Sequence, residues 1–222
     1  SRLVHAELTR LGVRVQLVPT LVPRSAFDDW RTTRIRRATV DMIGWHVGDG
    51  GDRDRSELEP AAQALTTALR NHLELRIDLT GDPNRMPELL LHHRRVRVIV
   101  GPPSRSDVAR WDLQLWTPDH VRCEIAGYLE PVVVAGAAGV PTAAGAASGA
   151  ARDALLSAAT TVPNTASANS WSRVIEHFLG DARQLRRESA TVSRRVESLF
   201  GAAAASTVLN RFFGWATNGA EA

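Results

Sequence analysis

The feature that most constrains the fold of this chain is a two-residue alternation of apolar and polar side chains within its first 130 residues. Val13, Val15 and Leu17 alternate with Arg14 and Gln16. The same spacing recurs at Leu75, Ile77 and Leu79, at Val96, Val98 and Val100, and at Leu113 and Leu115. Because successive side chains of a strand point to opposite faces, the alternation predicts strands that are buried on one face only. That burial favours an antiparallel or mixed sheet, folded as a sandwich or left open, over a parallel sheet.

One helix interrupts this β-rich region, in the segment that runs from residue 56 to residue 72. Ser56 can cap its start and Glu59 can reciprocate three residues later, which is the pattern of a capping box. Pro60 fits the first turn, where its missing N–H costs little. The inward stripe is formed by Leu58, Ala61, Ala62, Leu65 and Leu69. The fold class predicted from the sequence is therefore α+β, a β-rich body with one inserted helix.

The character of the chain changes after Glu130, because the stretch from Pro131 to Ala151 contains no charged side chain. A membrane span needs about 20 strongly apolar residues, and the prolines and glycines of this stretch argue against one. Its opening valine run is typical of a last strand. The residues that follow are typical of a small-residue connector. The predicted organisation is a β-rich α+β body over 1–130, an uncharged Ala/Gly-rich arm or connector over 131–170, and a helical segment with an aromatic tail over 171–222.

The last segment has apolar residues at alternating spacings of three and four, the pattern of amphipathic helices. Gly180 and Asp181 are predicted to separate two of them, with Asp181 capping a helix that ends near Gly201. The seam of that second helix consists of Leu185, Val192, Val196 and Leu199. Fewer than three uninterrupted heptads are present, which favours packing on the chain's own domain over a coiled coil.

An aromatic cluster follows this helix near the end of the chain. Its residues are Val208, Leu209, Phe212, Phe213 and Trp215. Two interpretations stand side by side: docking in a groove of a partner, or docking back onto the parent domain.

All 27 basic residues are arginine, while the net charge is only +3. The absence of lysine indicates a GC-rich genome, because arginine codons are rich in G and C. Arg31, Arg34, Arg36 and Arg37 form the densest local cluster. Such guanidinium groups can bind phosphates through two hydrogen bonds at once, or can form a solvated face. The small net charge excludes a general nucleic-acid coat, and the lack of interleaved aromatics excludes base-specific reading.

No local enzyme signature is present: there is no P-loop, no dinucleotide-binding glycine fingerprint, no G-x-S-x-G and no H-E-x-x-H. The glycine-rich segment containing Asp49, Asp52 and Asp54 lacks the spacing of a calcium loop and is interpreted as a surface turn. The single cysteine, Cys123, excludes an internal disulfide and a cysteine-based zinc site. No catalytic residue, metal or cofactor is predicted, and the chain is expected not to be an enzyme.

These observations lead to a functional hypothesis. Arms and terminal helices multiply contacts between symmetry-related subunits. The leading hypothesis is a structural assembly protein, a capsid or capsid-associated subunit of a GC-rich virus or phage that forms homo-oligomers. Its partners would be copies of itself or other assembly subunits, and packaged RNA or other nucleic acid bound without base specificity. Its expected location is the virion or host cytoplasm. The alternative is a cytoplasmic adaptor or small α+β enzyme of a GC-rich bacterium.

Overall fold

The fold is built on one sheet of six strands that all run parallel. A computed structural model describes residues 10–11, 39–48, 55–117, 130–145 and 159–218 of the chain. The strands are β1 (Met42–His46), β2 (Arg76–Gly81), β3 (Val96–Val100), β4 (Leu113–Trp116), β5 (Thr142–Gly145) and β6 (Ala159–Val162). Their order across the sheet is β3-β2-β1-β4-β5-β6, and each neighbouring pair is parallel.

Helices connect and cover the strands. They are α1 (Glu59–Asn71), α2 (Glu88–Leu91), α3 (Arg105–Val108), α4 (Glu130–Ala137), α5 (Ala168–Gly180), α6 (Ala182–Phe200) and α7 (Ala202–Asn218). Short 3₁₀ turns occupy Arg55–Leu58 and Pro83–Arg85. A parallel strand pair needs a crossover connection, so the β1-α1-β2 and β4-α4-β5 units follow directly from the strand directions. The architecture is a Rossmann-like α/β fold, and this strand order is that of a doubly wound sheet.

The prediction of an antiparallel or mixed, sandwich-like α+β fold is therefore wrong. Its premise was that the alternating polar residues face solvent, but Asp78 of β2 and Gln114 of β4 are buried. Asp78 and Gln114 are each 1% exposed, and Thr142 beside Gln114 in the next strand is fully buried. Buried polar residues that pair with one another produce the same alternation in sequence as a solvated face.

The first face of the sheet is the apolar one and carries the main core. Ile43, Trp45 and Leu79 project from it and are fully buried. α1 and α5 cover this face, and the predicted helical stripe of α1 is buried there along its length. The helix predicted at 56–72 is thus confirmed. The predicted capping box at the start of this helix is wrong, because Leu58 is the N-cap of α1 and Ser56 lies within the preceding 3₁₀ turn.

The second face is covered by α3, α4 and the indole ring of Trp111. The ring lies directly on Gly44, where an added methyl carbon would be 1.9 Å from the ring. Its Nε1 donates a hydrogen bond of 3.0 Å to the Oδ2 of Asp78. Arg97 adds two further bonds to the same carboxylate, of 2.8 and 2.7 Å. The buried charge of Asp78 is therefore compensated.

The valine run after Glu130 is helical, which corrects its interpretation as a strand. Val133 and Ala137 of α4 pack against Val192 and Val196 of α6. Gly136 makes this approach possible, since a methyl carbon there would be 2.6 Å from the Cγ2 of Val196. The local β-propensity of valine is overridden by burial between the sheet and a second helix. The range 131–170, predicted as an arm or connector, contains β5, β6 and most of α4.

The predicted boundary between the C-terminal helices is confirmed. Asp181 is the N-cap of α6, and its Oδ1 accepts hydrogen bonds from the backbone N–H groups of Arg183 and Gln184. These bonds hold the pKa of the Asp181 carboxyl below its usual value. The helix ends at Phe200, next to Gly201. None of the helices in the described ranges has the length and apolarity needed to cross a membrane.

Candidate functional site

In a sheet of this strand order, the ligand crevice is expected at the carboxyl edge, between β1 and β4. From β1 the chain crosses to β2 and β3 on one side, and from β4 to β5 and β6 on the other. Connections that leave neighbouring strands in opposite directions open a gap between them, and ligands of such sheets bind there. The residues at the ends of β1, β2 and β4 therefore form the candidate site.

His46 ends β1 and occupies the centre of this edge. It is 5% exposed, lies opposite Trp116 of β4 in the sheet register, and has Thr80 of β2 on its other side. The His46 Nδ1 is 3.0 Å from the Oγ1 of Thr80, which fixes the orientation of the ring. An oriented imidazole at the crevice can donate or accept a hydrogen bond according to its tautomer.

Thr117, the residue after β4, is held at the opposite wall of the crevice. Its Oγ1 accepts a 3.2 Å hydrogen bond from the Nε1 of Trp45 on β1, so the two strand ends are tied together across the gap. One layer deeper, the Thr142 hydroxyl donates to the Oε1 of Gln114 over 3.0 Å. These bonds preorganise the edge, because each side chain is held by a neighbouring strand.

Two glycines bring the ends of β1 and β2 into contact. Gly48 and Gly81 have φ angles of +94° and +126°, in the region that favours glycine. The Gly48 carbonyl accepts a hydrogen bond of 3.0 Å from the N–H of Asp82. A methyl carbon on Gly81 would lie 2.6 Å from that same carbonyl oxygen, so no larger residue fits without displacement.

The guanidinium of Arg85 lies beside these glycines. Arg85 ends the 3₁₀ turn after β2 and is 8% exposed. A methyl carbon on Gly48 would be 3.5 Å from its Nη1. The turn is held by Asp82, whose Oδ1 accepts from the N–H of Asn84 over 2.9 Å. The carboxyl edge therefore contains a buried permanent cation.

A second charged group lies away from the crevice, near the outer strand β3. Arg97 bridges Asp78 and Asp107, and Arg110 donates to Asp107 over 2.9 Å. The hydrogen bonds to Asp78 raise the pKa of Arg97, and the Ser104 hydroxyl lowers that of Asp107. His93 lies near the start of β3, and burial and the adjacent Arg95 lower its pKa. Since Asp78 and Asp107 bind arginines of the fold, this network stabilises the second face.

Within the described residues, no group of three or more potential ligand side chains is arranged to hold a metal ion.

The residues singled out from the sequence lie elsewhere. Arg31, Arg34, Arg36 and Arg37 fall outside the described residues, and their phosphate role stays a prediction. Val208 and Leu209 are half-buried on α7, whose range includes Phe212, Phe213 and Trp215. In the seam, Leu185 joins the main core, Val192 and Val196 contact α4, and Leu199 is half-buried. None of the described ones lies among the carboxyl-edge residues named above.

Sequence reasoning missed the carboxyl edge because it missed β1. Gly44 interrupts the apolar run of that strand, and it is present because Trp111 covers it. The available signal was the glycine-rich segment that begins at Gly48 directly after an apolar run. It was interpreted as a surface turn without relation to the strand before it.

Comparison with solved structures relates this fold to glycosyltransferases. HepE from Anabaena in complex with UDP-glucose matches with a TM-score of 0.65 at 14% identity, over 96% of this chain and 62% of its own. Sucrose-phosphate synthase from Thermosynechococcus elongatus matches with a TM-score of 0.61 at 19% identity, over 99% and 57%. WaaG, a glycosyltransferase of lipopolysaccharide biosynthesis, matches with a TM-score of 0.57 at 16% identity, over 86% and 55%. The chain thus spans less than two thirds of each of these structures.

No family model and no curated protein matches the sequence. The structural likeness shows the fold alone: this chain has one six-stranded Rossmann-like α/β sheet of the kind found in these glycosyltransferases, the GT-B fold. The prediction of a capsid or capsid-associated protein is therefore wrong, and the virion location loses its support. The expectation that the chain is not an enzyme is corrected by the same finding, because the matched structures are enzymes. Self-association and nucleic-acid binding stay predictions.

Proposed function

We propose that this chain forms the nucleotide-sugar-binding half of a glycosyltransferase. The observation that carries the proposal is the strand order, whose reversal point lies at the carboxyl ends of β1 and β4 beside fixed polar side chains, in a fold shared with a UDP-glucose complex. Sheets of this order bind nucleotides at that place. Because the chain spans about 60% of HepE, transfer of the sugar would require the remainder of a two-domain enzyme.

The named residues match the chemical needs of such a ligand. A nucleoside diphosphate sugar presents hydroxyl groups and a base, which need hydrogen-bonding partners in fixed positions. His46 and Thr117 supply them on the two walls of the crevice, each oriented by a neighbouring strand. The diphosphate needs N–H donors or cations, and carries charge that the protein must neutralise.

Hydrogen exchange with and without UDP tests the location of binding. We expect UDP to raise the Tm and to slow amide exchange at 46–48 and 116–117, the carboxyl ends of β1 and β4. The amino ends of the same strands, at 41–42 and 112–113, should not change. Protection confined to the amino ends, or no effect of UDP, GDP or ADP at millimolar concentration, would contradict the proposal.

A matched pair of histidine variants tests the site. His46→Gln keeps a hydrogen-bonding group near Thr80 but changes its shape, and we expect UDP-glucose binding to weaken roughly tenfold. His177→Gln alters an exposed histidine of α5 and should leave binding unchanged. Equal affinities of the two variants in isothermal titration calorimetry would remove His46 from the site.

A further inference from the structure

We infer that a row of exposed arginines on α6 docks this chain on the surface of a membrane that contains anionic lipids. The row consists of Arg183, Arg187 and Arg194, and we call it the α6 arginine row. The inference is independent of the proposed function, because it involves none of the residues named at the carboxyl edge of the sheet.

The first support is the geometry of the row. In an α-helix, positions four and eleven residues after a given residue fall within about 40° of it around the axis, so the three arginines share one side of α6. All three are exposed. The buried seam residues Leu185, Val192 and Val196 occupy the opposite side of the same helix. The row therefore faces away from the domain, over a length of about 16 Å.

The second support is the charge of the helix. α6 contains five arginines and two glutamates, which gives it a net charge of +3. Of the nearby carboxylates, Asp181 caps the helix and Glu188 accepts a 2.8 Å hydrogen bond from the Nε2 of Gln184, while Glu197 lies beyond the last arginine of the row. None of the salt bridges between residues that the structure describes involves an arginine of α6. Even with Asp181 counted, five positive charges stand against three negative ones, and the excess attracts an anionic surface.

The third support is the helix that follows. α7 begins directly after Gly201, and its first turns pack on the chain, since Ala205 is buried. In the sequence of its later turns, apolar residues recur at the spacing of one helix face: Val208, Leu209, Phe212, Phe213 and Trp215. A basic helix next to an apolar and aromatic one has the composition of segments that lie on membranes, where cations meet lipid phosphates and aromatic rings sit at headgroup level.

The same features favour a lipid surface over a nucleic acid as the partner. Proteins that bind single strands combine a basic groove with aromatic side chains on which the bases stack. The α6 arginine row lies on one exposed helix face, and no aromatic residue occurs between its first and last members. A bilayer surface can meet all three guanidinium groups at once, and each group can donate two parallel hydrogen bonds to a lipid phosphate.

Vesicle sedimentation tests the inference. We expect the unaltered chain to bind vesicles made of equal parts of phosphatidylcholine and phosphatidylglycerol, but not vesicles of phosphatidylcholine alone, and to bind less as the salt concentration rises. A triple variant that combines Arg183→Gln, Arg187→Gln and Arg194→Gln should bind the anionic vesicles roughly a hundredfold more weakly, at about fivefold for each charge. No binding of the unaltered chain to the anionic vesicles would overturn the inference.

A matched control separates the row from the overall charge. Arg70, Arg76 and Arg105 are exposed arginines outside α6, and their combined replacement with glutamine lowers the net charge by the same amount. This control should bind anionic vesicles like the unaltered chain, and both triple variants should keep its Tm. Equal vesicle affinity of the two triple variants would overturn the inference, because the overall charge and not the row would then determine binding.

Two further measurements separate a lipid surface from other anionic partners. Lysine at all three positions of the row should retain most of the vesicle binding, since a bilayer responds chiefly to charge. A labelled single-stranded RNA, followed by fluorescence anisotropy, should have the same affinity for the unaltered chain and for the glutamine variant of the row. An RNA affinity that depends on the row, together with vesicle binding that does not, would overturn the inference and assign the row to nucleic acid.

Discussion

Replacing Gly44 with alanine should destabilise the fold strongly. Among the described glycines without a positive φ, it is the one where we expect the largest loss of stability. The added carbon would be 1.9 to 2.2 Å from three ring atoms of Trp111, which is fully buried and must therefore shift. Overpacking of a core costs about 1–3 kcal/mol. The shift also breaks the bond from Trp111 to the Asp78 carboxylate, worth about 1.5–3 kcal/mol for a charged acceptor. The expected loss in the free energy of unfolding is about 3–5 kcal/mol.

A double-mutant cycle isolates the clash from other effects. Trp111→Leu removes the ring, and Gly44→Ala in that background should cost less than about 1 kcal/mol, because the methyl group enters vacated space. Urea unfolding followed by far-UV circular dichroism measures all four proteins. Gly180→Ala, which adds a methyl group with nothing within 4 Å, is the control and should not destabilise. The reasoning is refuted if the costs of Gly44→Ala in the two backgrounds agree within about 0.5 kcal/mol.

Two further predictions concern the second face and the helices behind it. The pKa of Asp107 lies below its ordinary 3.8, so this carboxylate stabilises the fold above that pH and loses its contribution as the pH falls through the lowered value. Urea titrations between pH 6 and pH 3 should therefore show a smaller acid loss for Asp107→Asn than for the unaltered chain; an equal loss would contradict it. Gly136→Ala should cost about 1–3 kcal/mol in the same assay, because its methyl group would be 2.6 Å from Val196. Val196→Ala should relieve most of that cost, and additive effects of the two substitutions would exclude the contact.

Local features of the fold could be predicted from the sequence where residues close together in the chain determine the structure. The α1 stripe and the Asp181 cap depend on neighbours in the chain, and both were predicted. Strand direction does not depend on neighbours in the chain. The apolar and polar alternation of β2 is shared by a solvated strand and by one whose Asp78 is bound to Arg97 and Trp111. Only the tertiary partners distinguish the two, so the parallel sheet could not be recognised from periodicity.

The prediction that the valine run of α4 forms a strand was wrong for a related reason. Three consecutive valines favour a strand when only local preference is considered. In the fold, α4 must pack against α6 closely enough for Gly136 to touch Val196. The small residues beside the valines were the evidence for this approach. The sequence analysis assigned them to an uncharged arm or connector, because small residues are common both in connectors and at close helix contacts.

The position of the site could have been inferred from glycines, had they been considered together with the strands. Gly81 is the last residue of β2, Gly48 lies two residues after the end of β1, and Gly101 directly follows β3. All three have positive φ. Glycines in that backbone region end strands where the chain must turn away at once. In a parallel sheet all such turns lie at one edge, so once the strands are known to be parallel these glycines indicate the edge where a ligand binds. The glycine-rich segment that the sequence analysis interpreted as a surface turn thus begins at Gly48, which lies with Gly81 at the candidate site.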